Sequence, residues 1–238
     1  MGLAALAALT SQLPATAQTP AGKTQEVRGR TWLQPIPDEA FNDGLGTWMY
    51  VAPEPAAGAG QLSPNDYEYV MTMVFLNLRF GDFALATGPT GKVARLSLSE
   101  WGIRPMGSIE VPYDWSPGRF YFLYTHHLTG PDWGAWVMDW ATGVWTYVGT
   151  ISTPADWGLL IKSTTATVRW AKAGPLPADC SGYPRTEAYI YPPLGYSGSQ
   201  FTVPVSYSEW GDDANKCPTQ SEILPNGWAH FSAGVSPG

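Results

Sequence analysis

An antiparallel β-sandwich, jelly-roll-like and with a disulfide-closed, loop-rich C-terminal extension, is the fold class this chain predicts, and three observations predict it. Its 238 residues hold 26 Gly and 22 Pro, the punctuation of many short strands joined by turns. Its 12 Trp, 12 Tyr and 8 Phe supply more apolar surface than a disordered chain carries. Several segments are β-rich or alternate with period two, and none sustains an apolar period of 3.6.

Taken in order, Met1 to Ala17 reads as the remnant of a secretory signal. Leu3 to Leu9 is a short apolar run, and Ala15-Thr16-Ala17 fits a small-x-small cleavage site, although a basic start is absent. The run is too short to span a bilayer, and no other segment qualifies. Residues 18–30 read as a linker, 31–175 as the sandwich domain, and 176–238 as an extension that completes or flanks it. Within the domain, Tyr67 to Phe80 is a long strand whose near-continuous apolar character predicts burial on both faces, mid-sheet. Phe83–Thr87 and Val93–Ser99 form a hairpin through Gly88 to Gly91. Further strands are expected at Arg119–Leu128, Ala166–Trp170, Glu187–Tyr191 and Phe201–Tyr207. The last carries Pro204, which marks an edge because proline cannot donate to a ladder.

Trp133 to Ile151 is the richest segment, a hairpin carrying four tryptophans. With Ala141-Thr142-Gly143 as a three-residue turn, Gly143 takes the left-handed position, and Trp136, Met138 and Trp140 line an apolar core-facing side. A four-residue turn instead pairs Trp145 with Met138. The two registers exchange the faces, so both stay open.

Charge narrows the partners. Only 14% of residues are charged, against roughly 25% in ordinary globular proteins. The formal net charge is −7 and the Lys and Arg are scattered singly, which disfavours nucleic acid and anionic membrane surfaces. Cys180 and Cys217 lie in Pro/Gly-rich surroundings, and in an exported protein one disulfide between them is the simplest account.

Three elements carry a resemblance: Leu98-Ser-Glu-Trp101, the run Tyr113-Asp-Trp-Ser-Pro-Gly-Arg-Phe-Tyr121, and the hairpin from Trp133 to Ile151. Through them, about Tyr67 to Trp170 resembles a family of exported bacterial domains of unknown function, common in actinobacteria. The resemblance implies export and a lectin- or glucanase-like sandwich, and it implies no activity. The first sixty residues and the tail beyond Cys180 depart from it.

Candidate chemistry is of two kinds. Paired carboxylates of a glycosidase stand roughly 5 or 6.5–9.5 Å apart. Glu100, Asp114 and Asp139 are the candidates if the chain is an enzyme, yet no Glu-x-Asp-x-x-Glu strand motif is present. The aromatics are the second kind, since sugars stack flat C–H faces on indole and phenol rings. Trp101, Trp115, Trp133 and Trp145, with Asp132 beside them, are the expected ligand-binding set, and Trp136 and Trp140 are read as core. No cofactor is called for. Asp212, Asp213 and Asn215 form an oxygen-rich loop of a kind calcium accepts, though three side chains fall short of its usual six to eight oxygens. The expected function is therefore non-catalytic binding of a glycan or cell-wall polymer outside the cell. A carbohydrate-active enzyme and a structural adhesion module are the alternatives.

Overall fold

The computed structural model describes residues 26–27, 30–33, 44–53, 64–75, 79–88, 90–100, 104–158, 160–170, 184–191, 193–197, 200–202, 206–209 and 219–233. These form an all-β structure of two antiparallel sheets, with a single 3-10 turn at Pro64–Asp66.

One sheet is built on β4 (Tyr67–Phe75), β5 (Arg79–Gly88), β6 (Gly91–Glu100) and β7 (Arg104–Pro112), a meander in chain order. β11 (Leu160–Trp170) flanks β4, followed by β2 (Arg30–Leu33) and β15 (Ser206–Glu209), while β1 (Glu26–Val27) also pairs with β11. The other sheet runs β10 (Val144–Ser152), β9 (Asp132–Asp139), β8 (Phe120–His127), β3 (Gly44–Val51), β12 (Thr186–Ile190), β17 (Ala229–Ala233) and β16 (Thr219–Ile223). β13 (Leu194–Ser197) also pairs with β3, and β14 (Gln200–Thr202) with β13.

The two sheets face each other across one core. β4 turns Tyr67, Tyr69, Met71, Met73 and Phe75 inward, and all nine of its residues are buried, as expected mid-sheet. Leu45, Met49, Leu123, Val137, Ile190 and Phe231 answer from the other sheet. Polar atoms inside are matched across the gap: the Tyr69 hydroxyl bonds Thr186 Oγ1 at 2.7 Å, and Thr125 donates to the Met73 sulfur at 3.1 Å. Burial pushes the Tyr69 hydroxyl well above the usual tyrosine range, the Thr186 bond opposing it in part. Each large side chain buried here contributes about 1.5–3 kcal/mol.

Two expectations change, and one strand was not expected. The long strand ends at Phe75, which pairs with Arg79, so Phe80 belongs to β5; apolar residues of two successive paired strands read as one run. The segment Phe201–Tyr207 is two strands in different sheets, one on either side of the residue that cannot donate. β7, unread in the sequence, is an edge strand bearing Pro105 and Pro112, composition that hides strands from a propensity reading. Cys180 and Cys217 lie outside the described residues.

Candidate functional site

The tryptophan hairpin decides where the site lies. Asp139 closes its turn: the main-chain carbonyl accepts from Thr142 N–H at 3.3 Å and Gly143 N–H at 2.8 Å, and Oδ1 accepts from Ala141 N–H at 2.9 Å. The loop is therefore four residues, Trp140 to Gly143, with Gly143 at φ +67°. Of the two registers, the structure adopts the one that pairs Trp145 with Met138 and Tyr147 with Trp136. Trp133, Ala135 and Val137 turn into the core, whereas Trp136, Trp140, Trp145 and Tyr147 turn outward. Trp136 and Trp140, expected in the core, are thus surface residues, and Trp140 is 60% exposed.

The outward side of this sheet is aromatic across its neighbouring strands. β8 contributes Phe120, Phe122, Tyr124 and His126; β3 contributes Trp48 and Tyr50; Tyr189, Tyr196 and His230 come from β12, β13 and β17. Along β8, Phe122, Tyr124 and His126 form a near-parallel strip, successive planes differing by 15° and 19°. Glycines let the rings lie down. A Cβ on Gly46 would stand 2.6 Å from the tip of Phe122, and side chains on Gly44 and Gly134 would meet the neighbouring backbone and the Trp136 ring. Trp145 stands nearly upright over the strip, at 87° to Phe122 and 73° to Tyr124, and Tyr196 stands at 79° to Tyr124 from the opposite side. Trp136 and Tyr147 extend the surface at 5.2 Å and 38°.

Beyond one end of the strip, Trp48, Phe120, Trp140, Tyr191 and Trp228 surround an open pocket of about 490 Å³. Its rings cross rather than lie parallel: Trp48 and Trp140 meet at 89°, Phe120 and Trp228 at 69°, and Tyr191 and Trp228 at 68°.

A polar group borders the aromatics. His230 stacks on Tyr189 at 4.6 Å and 16°, its Nδ1 lies 3.2 Å from Glu222, and its Nε2 lies 3.8 Å from Glu187, which also pairs with Arg185. Burial and the Glu187 charge raise the Tyr189 hydroxyl, which stays a neutral donor.

The residues expected to bind ligand are separated by the fold. Trp145 lies on the aromatic face, 48% exposed. Trp115 and Trp133 are core residues. Trp115 is held there because its indole N–H donates to the Ala86 carbonyl at 3.0 Å and the Lys92 ammonium caps its ring at 4.9 Å. Trp133 turns inward in its strand and meets Phe75 edge-on at 5.4 Å. Asp132 accepts from the Ser152 hydroxyl at 2.5 Å at the far end of the hairpin from Trp145. Trp101, Asp212, Asp213 and Asn215 lie outside the described residues.

The three candidate carboxylates are not brought to the aromatic face. Glu100 ends β6 in the other sheet, between Arg79 at 2.5 Å and Arg104 at 3.3 Å. Asp139 is committed to its own turn and to Arg119 at 2.8 Å. Asp114 is an exposed loop residue beside buried Trp115. Among the residues missed were Trp48, Phe120, Phe122, Tyr124, Tyr191, Tyr196 and Trp228. A signal for some of them was present: Gly44-x-Gly46-x-Trp48 and Phe120-x-Phe122-x-Tyr124 place glycines and rings at period two on adjoining strands.

No family model and no curated protein matches the sequence. Among solved structures, the chain is similar to scytalido-glutamic peptidase bound to a transition-state analog inhibitor, with a TM-score of 0.54 and 8% identity over 90% of this chain and 100% of that one. A second structure of that peptidase, with a peptide-based transition-state analog, gives a TM-score of 0.53 at 10% identity with the same coverage. Galectin-Va of Xenopus laevis is a more distant likeness, with a TM-score of 0.37 and 6% identity over 60% of this chain and 90% of that one, and carries no argument. At such identity the peptidase likeness shows the fold alone.

Proposed function

We propose that this protein is an exported, non-catalytic glycan-binding sandwich that holds a neutral polysaccharide against the outward face of the β8–β9–β10 sheet. The observation that carries this reading is the strip of rings laid on glycines, with Trp145 and Tyr196 upright on either side. Phe122 is buried and forms the floor; the half-buried Tyr124 and His126 continue the strip toward solvent, where sugar C–H groups stack on ring faces, and the exposed rims of Tyr147 and Trp145 extend that surface. Monomeric soluble proteins rarely expose contiguous apolar area of this kind without a partner. A neutral polymer fits better than an anionic one, because Arg185 and Arg119, cations bordering the aromatics among the described residues, are paired with Glu187 and Asp139.

Affinity electrophoresis through neutral soluble polysaccharides, with pull-down on insoluble ones, tests it. At least one polymer is expected to retain the protein, and Trp145→Ala to weaken retention by about tenfold, the scale of one stacked ring. A blank panel, or equal retention of the variant, overturns the reading.

Hydrolysis is the second reading, favoured by one observation: Glu187 and Glu222 flank His230 at the border of the aromatic surface. It predicts release of reducing ends or peptides that Glu187→Gln abolishes.

A further inference from the structure

We propose that the pocket between Trp48, Phe120, Trp140, Tyr191 and Trp228 binds a quaternary ammonium group of the trimethylammonium type. The inference goes beyond the glycan reading and does not depend on it, because it rests on a different arrangement of rings.

Ring orientation is the first reason. A sugar ring is flat and stacks on one broad face or between parallel faces. Here the walls cross, at 89° for Trp48 and Trp140, and at 69° and 68° where Trp228 meets Phe120 and Tyr191. Crossed rings form corners rather than parallel plates, which suits a round cation and gives a flat ligand no second surface. Each face is negative at its centre and attracts a cation within about 6 Å.

The second reason is what the lining lacks. Its side-chain polar groups are three indole N–H groups and one phenol, with no side-chain carboxylate, amide or guanidinium among the described lining residues. Three N–H donors and one hydroxyl replace only part of the hydrogen bonds to water that sugar hydroxyls buried there would lose. A trimethylammonium group has no hydrogen-bond donors to satisfy.

Charge is the third. The chain carries a formal net charge of −7, and Glu187 and Glu222 are ionisable groups on the same outward side. Arg185 there is paired with Glu187. Arg119, next to Phe120 in sequence, is paired with Asp139 at 2.8 Å. A soft cation with weak hydration is the ligand that both the rings and this field favour.

Calorimetric titration of the full chain with choline chloride, run without polysaccharide, tests the proposal. Its neutral isostere 3,3-dimethylbutan-1-ol is titrated in parallel. Saturable one-site binding of choline is expected, about fivefold or more tighter than the isostere, since shape and apolar area are shared and only the charge differs. Trp140→Leu is expected to weaken choline by a similar factor. Its ring is 60% exposed, so the variant should fold, and near-UV circular dichroism checks that it does. Equal binding of the two ligands, or no saturable choline binding, overturns the proposal. Because the isostere comparison uses the unaltered protein, it decides the matter even if the variant misfolds. A further arm with phosphatidylcholine vesicles separates a lipid headgroup from a free solute as the source of the cation.

Discussion

The sandwich has two outward faces, and they solve contact with solvent in opposite ways. Over β4, β5, β6 and β11 the outward residues form an ionic network: Arg95 pairs with Glu68, Arg169 bridges Asp82 at 2.5 Å and Glu68 at 3.8 Å, and Thr72 donates to Asp82 at 2.6 Å. Over β8, β9, β10 and β3 the same pleat positions carry rings and glycines. Both sheets share the core, so core packing does not explain the difference. A face built only for folding needs polar side chains. The aromatic one carries Trp140, Trp145, Tyr147 and Phe120 at 60, 48, 50 and 41% exposure, which makes it the face where an outside partner gains most.

The sharpest way to break this comparison uses two tryptophans of one hairpin. Trp133→Ala removes a ring that is 1% exposed, and urea unfolding should show a loss of about 3–5 kcal/mol. A loss below about 1 kcal/mol would contradict its core placement. Gly46→Val comes next. Its side chain must displace Phe122, whose ring is held by Trp48 at 4.7 Å and Trp145 at 6.1 Å, so about 1–3 kcal/mol should be lost together with polysaccharide retention. Retention unchanged in that variant would show that the flat strip is not what a polymer touches.

Asp82→Asn disturbs the ionic face instead. Removing the charge between Arg169 and Thr72 should cost about 1–2 kcal/mol and leave polysaccharide retention unaltered. A binding defect there would mean that the two faces are not functionally separate. Trp145→Ala has the smallest expected effect on folding, within about 0.5 kcal/mol by the same urea measurement, because its ring is already at the surface. Substantial destabilisation would mark Trp145 as a packing residue rather than a displayed one.

Much of the strand content was legible because strand chemistry is local. The β5–β6 hairpin, the buried centre at β4 and the β9–β10 hairpin follow from turn residues and apolar runs. The site was less legible, and the hairpin turn shows why. Asp139 closes it by accepting from three backbone N–H groups, a preference that a count of glycines does not reveal. Moving the closure by one residue left β10 facing as expected and reversed β9, so that Trp133 turns into the core and Trp136 out of it. Trp115 misled for a different reason. Its Pro/Gly surroundings resemble a loop tip, yet the carbonyl that accepts its indole N–H comes from residue 86.

The sequence by itself determined an all-β chain rich in aromatic rings, since alternation, glycine and proline act over a few residues. Tertiary structure alone decided which rings are displayed. Strand order sets Trp48 of β3 against Trp140 beyond β9, and it brings Tyr191 and Trp228 from late in the chain to the same pocket. That assembly depends on pairing between residues far apart in sequence, and local propensity carries no record of such partners.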